Sequence, residues 1–286
     1  MRGSKLVLGS IAGLGAAGAA GMAGAQDALE RIGKPEPGAL HWQPAATELA
    51  RDIHWLDGFL LVIISAICLF VVGLLAYVIF KFNAKAHPEP KTFTHHSTVE
   101  VVWTVVPILI LVTIGAFSLP VLFKQLNVPE SDLTIKVTGY QWYWGYEYPD
   151  QEIDFEGVML ARSELAEYGY TDDEYLLATD TAMVVPEGAV VKLLMTADPN
   201  GVIHSWTIPA FGVKMDAIPG RTAETWFQAD RVGVYFGQCS ELCGKDHAYM
   251  PIVVKVLPQA EYEAWLTETQ LAQGVTPGTG IRLASN

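Results

Sequence analysis

Two stretches of 23 residues, Gly58–Phe80 and Val101–Phe123, carry no charged side chain. A bilayer core takes about 20 consecutive apolar residues as a helix. In lipid the backbone must satisfy its own hydrogen bonds, so such runs are restricted to helices. The pattern predicts a transmembrane hairpin over residues 55–123, with helices at about 57–80 and 100–123 and a polar loop at 81–99. Pro107 and Pro120 fall inside the second run; a spanning helix tolerates proline when neighbours satisfy the freed carbonyl. The loop holds Lys81, Lys85 and Lys91 against one acid, Glu89, before Glu100 at the helix edge. Basic loops stay on the cytoplasmic side, so both termini are expected outside. Trp55, Tyr77 and Trp103 lie near the run ends, where amphipathic rings favour the membrane interface.

The first residues read as a signal peptide, residues 1–25. Arg2 and Lys5 give a basic start, Leu6 to Met22 a small-residue apolar run, and Ala23-Gly24-Ala25 a cleavage site that leaves Gln26 at the mature end. In a bacterium this implies export and a place in the inner membrane, with the termini and the following domain on the periplasmic side. Residues 26–54 form an exported arm; Pro35, Pro37 and Pro44 make its first part read as extended and exposed.

From Lys124 onward short β-type runs alternate with turn residues: 133–140, 142–148, 182–185, 190–196, 202–208, 224–227, 232–236 and 252–257. This predicts an all-β sandwich or barrel over residues 124–258. A short helix from Ser163 to Gly169 is expected within it. Gln259–Leu271 reads as a surface helix leading a C-terminal tail, residues 259–286, with Tyr262, Trp265 and Leu266 on one face. The chain's net charge is −13, and all the excess falls after residue 123, where 23 acidic residues face 10 basic ones. That excludes nucleic acid as a partner and favours a basic one, held by an attraction that salt weakens.

Cys239, Cys243, His247 and Met250 sit in one segment with spacing C-x3-C-x3-H-x2-M. Two thiolates, an imidazole and a thioether form a soft donor set that selects copper, and methionine argues against zinc. His204 adds a second imidazole from an earlier strand-like stretch. Two thiolates can bridge two metals. A Cys239–Cys243 disulfide is the alternative in an oxidising compartment, but it leaves His247 and Met250 without a role. Cys68 reads as a packed apolar residue of the first helix. The aromatic run Tyr140, Trp142, Tyr143, Trp144, Tyr146, Tyr148 alternates along a strand, so one set enters the core and the other is exposed among acids, as at a docking surface. Ser97-Thr98-Val99-Glu100 has the form of a capping box at the second helix.

VTGYQWYWGYEYP (Val137–Pro149), VIHSWTIPAFGVKMDAIPGR (Val202–Arg221), GQCSELCGKDHAYMPIVV (Gly237–Val254) and FTHHSTVEVVWTVVP (Phe93–Pro107) resemble subunit II of haem–copper cytochrome c oxidases. The resemblance runs from about Trp55 to Trp265. It implies a membrane-anchored, cupredoxin-like β-barrel or sandwich carrying the binuclear CuA centre, and the role of electron-entry subunit in a proton-translocating oxidoreductase. Cys239 and Cys243 would bridge both coppers, His204 and His247 would each bind one, and Met250 and the Glu241 backbone carbonyl would bind weakly. The Glu241 side chain would reach a magnesium or manganese ion shared with subunit I, the haem-bearing subunit. Asp216 and Arg221 match the segment facing that interface; an ordinary turn ion pair is their plain alternative. Trp142 would be the electron entry point from cytochrome c. Glu147, Glu156, Asp180 and Asp198 would form the acidic docking ring, although Pro199-Asn200-Gly201 sets Asp198 three residues further from the His204 strand than the family pattern. Glu100 would stand at a proton-uptake edge. Subunit III and the bilayer are further implied partners.

A membrane-anchored copper chaperone also uses C-x3-C with a histidine. Two spanning helices, the upstream His204 and the local His247 and Met250 count against it. A quinol oxidase subunit of this fold lacks the copper ligands present here, a nitrous oxide reductase needs a large further domain, and a plain adhesion sandwich leaves the ligand cluster unexplained.

Overall fold

The computed structural model describes residues 29–89 and 91–278. The expected signal peptide therefore lies outside the described residues.

Two helices, α1 (Glu48–Lys81) and α2 (Ser97–Leu126), pack side by side. They have 34 and 30 residues, which at 1.5 Å per residue gives about 50 and 45 Å. Each is thus longer than the roughly 30 Å hydrocarbon core. Their apolar runs face outward: Phe80 is 81% exposed and Leu69 73%. In water such surface would be expensive, whereas lipid is its natural solvent.

α1 starts earlier than expected. Thr47 caps it, its hydroxyl accepting from the Ala50 N–H at 2.9 Å and donating to the Phe211 carbonyl at 2.8 Å. Leu49 and Ala50 are buried against the β domain. The membrane hairpin is therefore anchored into the extramembrane core by its first turn. Lys124, near the end of α2, bonds Asp52 at 2.7 Å and Glu48 at 2.6 Å on α1. The reading of the arm, residues 26–54, as extended and exposed in its first part is corrected at both ends of its described portion. Strand β1 (Arg31–Gly33) joins a sheet, and residues 48–52 are helical, because apolar Ile32, Leu49 and Ala50 find core to enter.

The cap of α2 also differs. His96, not Ser97, is the N-cap: its Nδ1 accepts from the Val99 N–H at 3.3 Å, and Glu100 reaches back to the His96 N–H at 3.0 Å. The reciprocal logic of the box survives, shifted by one residue.

The β domain packs two sheets face to face, in line with the sandwich expected. One holds β4 (Ile153–Gly157), β3 (Tyr143–Tyr148), β2 (Leu133–Tyr140), β6 (Val190–Ala197) and β9 (Ala223–Gln228), in that order. The other holds β1, β10 (Gly233–Gln238), β11 (Pro251–Leu257) and β5 (Met183–Pro186). A hairpin of β7 (His204–Ile208) and β8 (Val213–Ala217) completes it. β6 alternates strictly between half-buried and buried, as a strand with one face on the core should. Trp144, Tyr148, Trp206, Phe211, Phe227 and Tyr235 fill the interior. β4 and β8 escaped the sequence reading because IDFEG and VKMDA mix charges into short runs.

β10 is buried on both faces. Its outer face meets a second apolar cluster that includes Leu165, Tyr170, Val234 and Phe236. The stretch 162–169, expected to be a helix from Ser163, is a succession of turns that folds Leu165 and Tyr170 onto this cluster. The last helix, α3 (Gln259–Ala272), packs Tyr262 and Leu266 on the domain.

Candidate metal centre

Antiparallel pairing of β10 with β11 ends at Gln238 opposite Pro251. All four residues of the C-x3-C-x3-H-x2-M motif therefore lie in one hairpin loop. The neighbouring strand β7 begins at His204, and the Ser240 N–H donates to the Ser205 carbonyl at 2.9 Å, which seats the loop against it.

The donors converge. Cys239 Sγ and Cys243 Sγ are 3.8 Å apart and unbonded, far beyond the roughly 2.05 Å of a disulfide. His204 Nδ1 lies 4.0 Å from Cys239 Sγ, and His247 Nδ1 lies 3.5 Å from Cys243 Sγ. Met250 Sδ is 3.5 Å from Cys243 Sγ, and the Glu241 carbonyl oxygen is 3.3 Å from Cys239 Sγ. A metal–thiolate bond of about 2.3 Å exceeds half the sulfur separation, so one ion can reach both thiols from either side. His204 is fully buried and its Nε2 has no hydrogen-bond partner. Burial first, and the nearby His247 second, push the His204 pKa down to about 4. Its imidazole is thus neutral at physiological pH, which is the ligating form. Burial, reinforced by Cys239, pushes the Cys243 thiol up to about 12. A buried thiol of this kind gains a partner for its negative charge only from a cation. The residues fit a soft-metal centre.

Several positioning groups were not read from the sequence. The buried Trp144 indole donates to the Met250 carbonyl at 3.2 Å and packs edge-on against His204, the ring centroids 5.8 Å apart. Gly139 faces that ring so closely that a Cβ would stand 2.9 Å from His204 Cδ2. Gly244, at φ +123°, lies under Trp142, where a Cβ would meet Cζ2 at 2.9 Å. A glycine inside a strand pattern is a signal of close approach for Gly139; Gly244, in the loop, carried none of that kind.

Trp142 is half-buried just before β3. Its Nε1 donates to the Cys243 carbonyl at 3.0 Å, and Lys245 Nζ stands 5.2 Å over its ring. The aromatic run does not alternate along one strand: Tyr140 ends β2, Trp142 lies in the turn, and alternation holds only within β3. Trp144, Tyr146 and Tyr148 are in the core, while Tyr143 points outward and stacks on Tyr140 at 4.8 Å. Around Tyr143 lie Glu156 and Asp198; burial first, then Glu156, Tyr140 and Asp198, raise its pKa. Glu147 shares that outer face and pairs with Lys136 at 2.7 Å. Asp180 sits in the next loop, its Oδ1 accepting from the Val158 and Thr181 N–H groups at 2.8 Å each. Asp198 holds its own turn, accepting from the Asn200 N–H at 2.9 Å.

The Glu241 side chain is exposed beside the loop. Asp216 lies opposite Ser205, one register step from His204, and forms no ion pair with Arg221 among the described residues. Glu100 stands apart, at the other end of α2.

A membrane-anchored sandwich with this cluster of soft donors in a hairpin loop is a cupredoxin-like metal-site protein. The family model described as cytochrome c oxidase subunit II, periplasmic domain, matches residues 133–257, and that described as the transmembrane domain matches residues 35–121. The cytochrome c oxidase subunit 2 of Cereibacter sphaeroides is 56% identical over 259 residues, 86% of this chain and 85% of that protein. The probable cytochrome c oxidase subunit 2 of Rickettsia bellii is 43% identical over 254 residues, 88% of this chain and 91% of that protein. The crystal structure of the periplasmic domain of subunit II of cytochrome oxidase from Bradyrhizobium japonicum is 46% identical, with a TM-score of 0.45, covering 51% of this chain and 99% of that one.

The chain belongs to the cytochrome c oxidase subunit II family. It is a component of a haem–copper terminal oxidase, an oxidoreductase in which subunit I is its partner, and its family carries a CuA copper centre.

Proposed function

We propose that the chain docks reduced cytochrome c on the acidic, aromatic outer face of the five-stranded sheet, accepts electrons at a binuclear copper centre in the β10–β11 loop, and passes them to haem in subunit I. The observation that carries this is the meeting of two free thiols 3.8 Å apart with imidazole nitrogens 4.0 and 3.5 Å from them. Cys239 and Cys243 would bridge the metals, His204 and His247 would each bind one, and Met250 and the Glu241 carbonyl would complete the set. When bound, the copper pair supplies a one-electron store shared through the thiolates. The chain's own part is to hold the donors still. Rigid strand ends and the Trp144 and Ser240 hydrogen bonds keep ligand positions fixed between redox states, so little reorganises on transfer.

Trp142 joins the surface to the loop through its hydrogen bond to Cys243 and serves as the entry point. Glu147, Glu156, Asp180 and Asp198 attract the lysines of cytochrome c. The exposed Glu241 carboxylate offers a hard oxygen ligand for a magnesium or manganese ion completed by subunit I. Glu100, which caps α2 at the membrane edge, serves as a proton-uptake group. Subunit III is a further neighbour. The basic 81–99 loop faces the cytoplasm and the copper domain the periplasm of a bacterial inner membrane, after removal of a signal peptide, residues 1–25. The functional division is the hairpin within residues 55–123, the copper domain 124–258 and the C-terminal helix and tail.

The test is copper content with electron paramagnetic resonance on the purified full chain. Two coppers sharing one unpaired electron are expected, lost in Cys239→Ser and Cys243→Ser. One copper, or a normal signal in either variant, would overturn the assignment.

A further inference from the structure

On the outer face of the four-stranded sheet, away from the copper loop, a cavity of about 670 Å³ opens between α3, the β5–β11 edge and the 166–182 loop. That volume suits a small organic ligand. Phe155, Tyr170, Ala182, Val184, Leu257 and Trp265 wall it. The Trp265 ring is held by contacts with Tyr148 at 5.8 Å and Phe155 at 6.3 Å, so the pocket is preformed.

One cation lines this apolar space. Lys255 follows Val234 and precedes Val184 in lateral register, in a row that begins at Arg31. The row places Lys255 on the same outer face as Val234. Among the described residues no carboxylate lies within ion-pair distance of Lys255 Nζ. Burial, and then the charge of Arg31, lower its pKa to about 8. Arg31 itself is committed to Glu174 and to the Gly169 and Leu29 carbonyls. Lys255 is half-buried on this wall, and a partly desolvated ammonium with no carboxylate partner among the described residues can still take one negative charge from a ligand. The carboxylates that line it stand elsewhere. Glu167 and Glu261 are exposed, and Asp180 spends Oδ1 on backbone N–H groups. Acids at the opening repel polyanions and leave room for a ligand with one charge and an apolar body.

We propose that this cavity binds an amphipathic monocarboxylate, its carboxylate on Lys255 Nζ and its apolar or aromatic body against Phe155, Leu257 and Trp265. The site is separate from the copper centre and from the residues named above for electron entry, apart from Asp180 at its rim.

The test uses the assembled oxidase in lipid nanodiscs with 2-naphthoate as probe, followed by equilibrium dialysis and saturation-transfer NMR. One saturable site per oxidase is expected. 2-Naphthylmethylamine, of the same shape and opposite charge, should not compete. Lys255→Met should weaken naphthoate binding by about tenfold or more. Ala264→Trp, which fills the cavity from the exposed side of α3, should abolish it. Both variants should keep copper content and oxygen consumption. Should Lys255→Met fail to assemble, Ala264→Trp decides alone. Non-saturable uptake equal in all three proteins would mean membrane partitioning only, and would overturn the proposal. So would unchanged affinity in either assembled variant, or equal binding of the amine.

Discussion

The Trp142 indole N–H bonds the carbonyl of Cys243 at 3.0 Å, linking a half-exposed aromatic surface to the loop that carries the copper donors. The link is short and specific. Gly244, beside the accepting residue, leaves room for the ring.

Trp142→Phe keeps an aromatic ring and removes that hydrogen bond. We expect electron entry to slow by about tenfold, equivalent to ~1.4 kcal/mol of barrier, with cytochrome c affinity little changed. Rapid-mixing kinetics with reduced cytochrome c separate the two. A loss of affinity at an unchanged intrinsic transfer rate would make Trp142 a contact and not a conduit.

Gly139→Ala places a methyl 2.9 Å from His204 Cδ2. The ring is fully buried and cannot retreat, so overpacking of about 1–3 kcal/mol falls on the site. Weaker copper retention and an altered visible spectrum are expected, with far-ultraviolet circular dichroism unchanged. A variant with native copper affinity would show that the ring has room to move.

Glu156 and Asp198 flank Tyr143 on one face. Turnover at limiting cytochrome c should fall as ionic strength rises, since the Debye length shrinks from about 10 Å at 0.1 M to about 3 Å at 1 M. Glu156→Gln with Asp198→Asn should flatten that profile. A salt-independent rate in the unaltered protein would remove the acidic docking face from the account.

Lys255 gives a pH-dependent stability. Its folded pKa, about 8, lies below the ordinary lysine value of 10.5. Below pH 8 both states hold the proton, and the cost of burying the charge is borne in full. Between about 8 and 10.5 the unfolded chain holds more proton, so this group's contribution to stability rises with pH. Buried Tyr146, Tyr148, Tyr235 and Tyr262, whose pKa values are raised, act in the opposite sense above about pH 10. Lys255→Met isolates the lysine. It should unfold at higher temperature near pH 7, by about 2 kcal/mol of stability, and lose the rise above pH 8. Equal unfolding profiles would mean that the ammonium is solvated.

Legibility in the sequence followed the range of the forces involved. The hairpin was readable because the absence of charge over a membrane's thickness is a local property. Four of the donors were readable because a twelve-residue loop, Cys239 to Met250, holds them whatever surrounds it. Strands such as β2 and β6 showed their alternation, while β4 and β8 hid theirs behind charged residues. Tertiary structure decided the rest. His204 meets Cys239 only because β7 lies beside β10. Trp142 reaches Cys243, Thr47 ties α1 to Phe211, and Lys255 comes to line a cavity beside Trp265, through contacts between residues distant in the chain. Such meetings depend on the order in which strands pair, and no local periodicity carries that order.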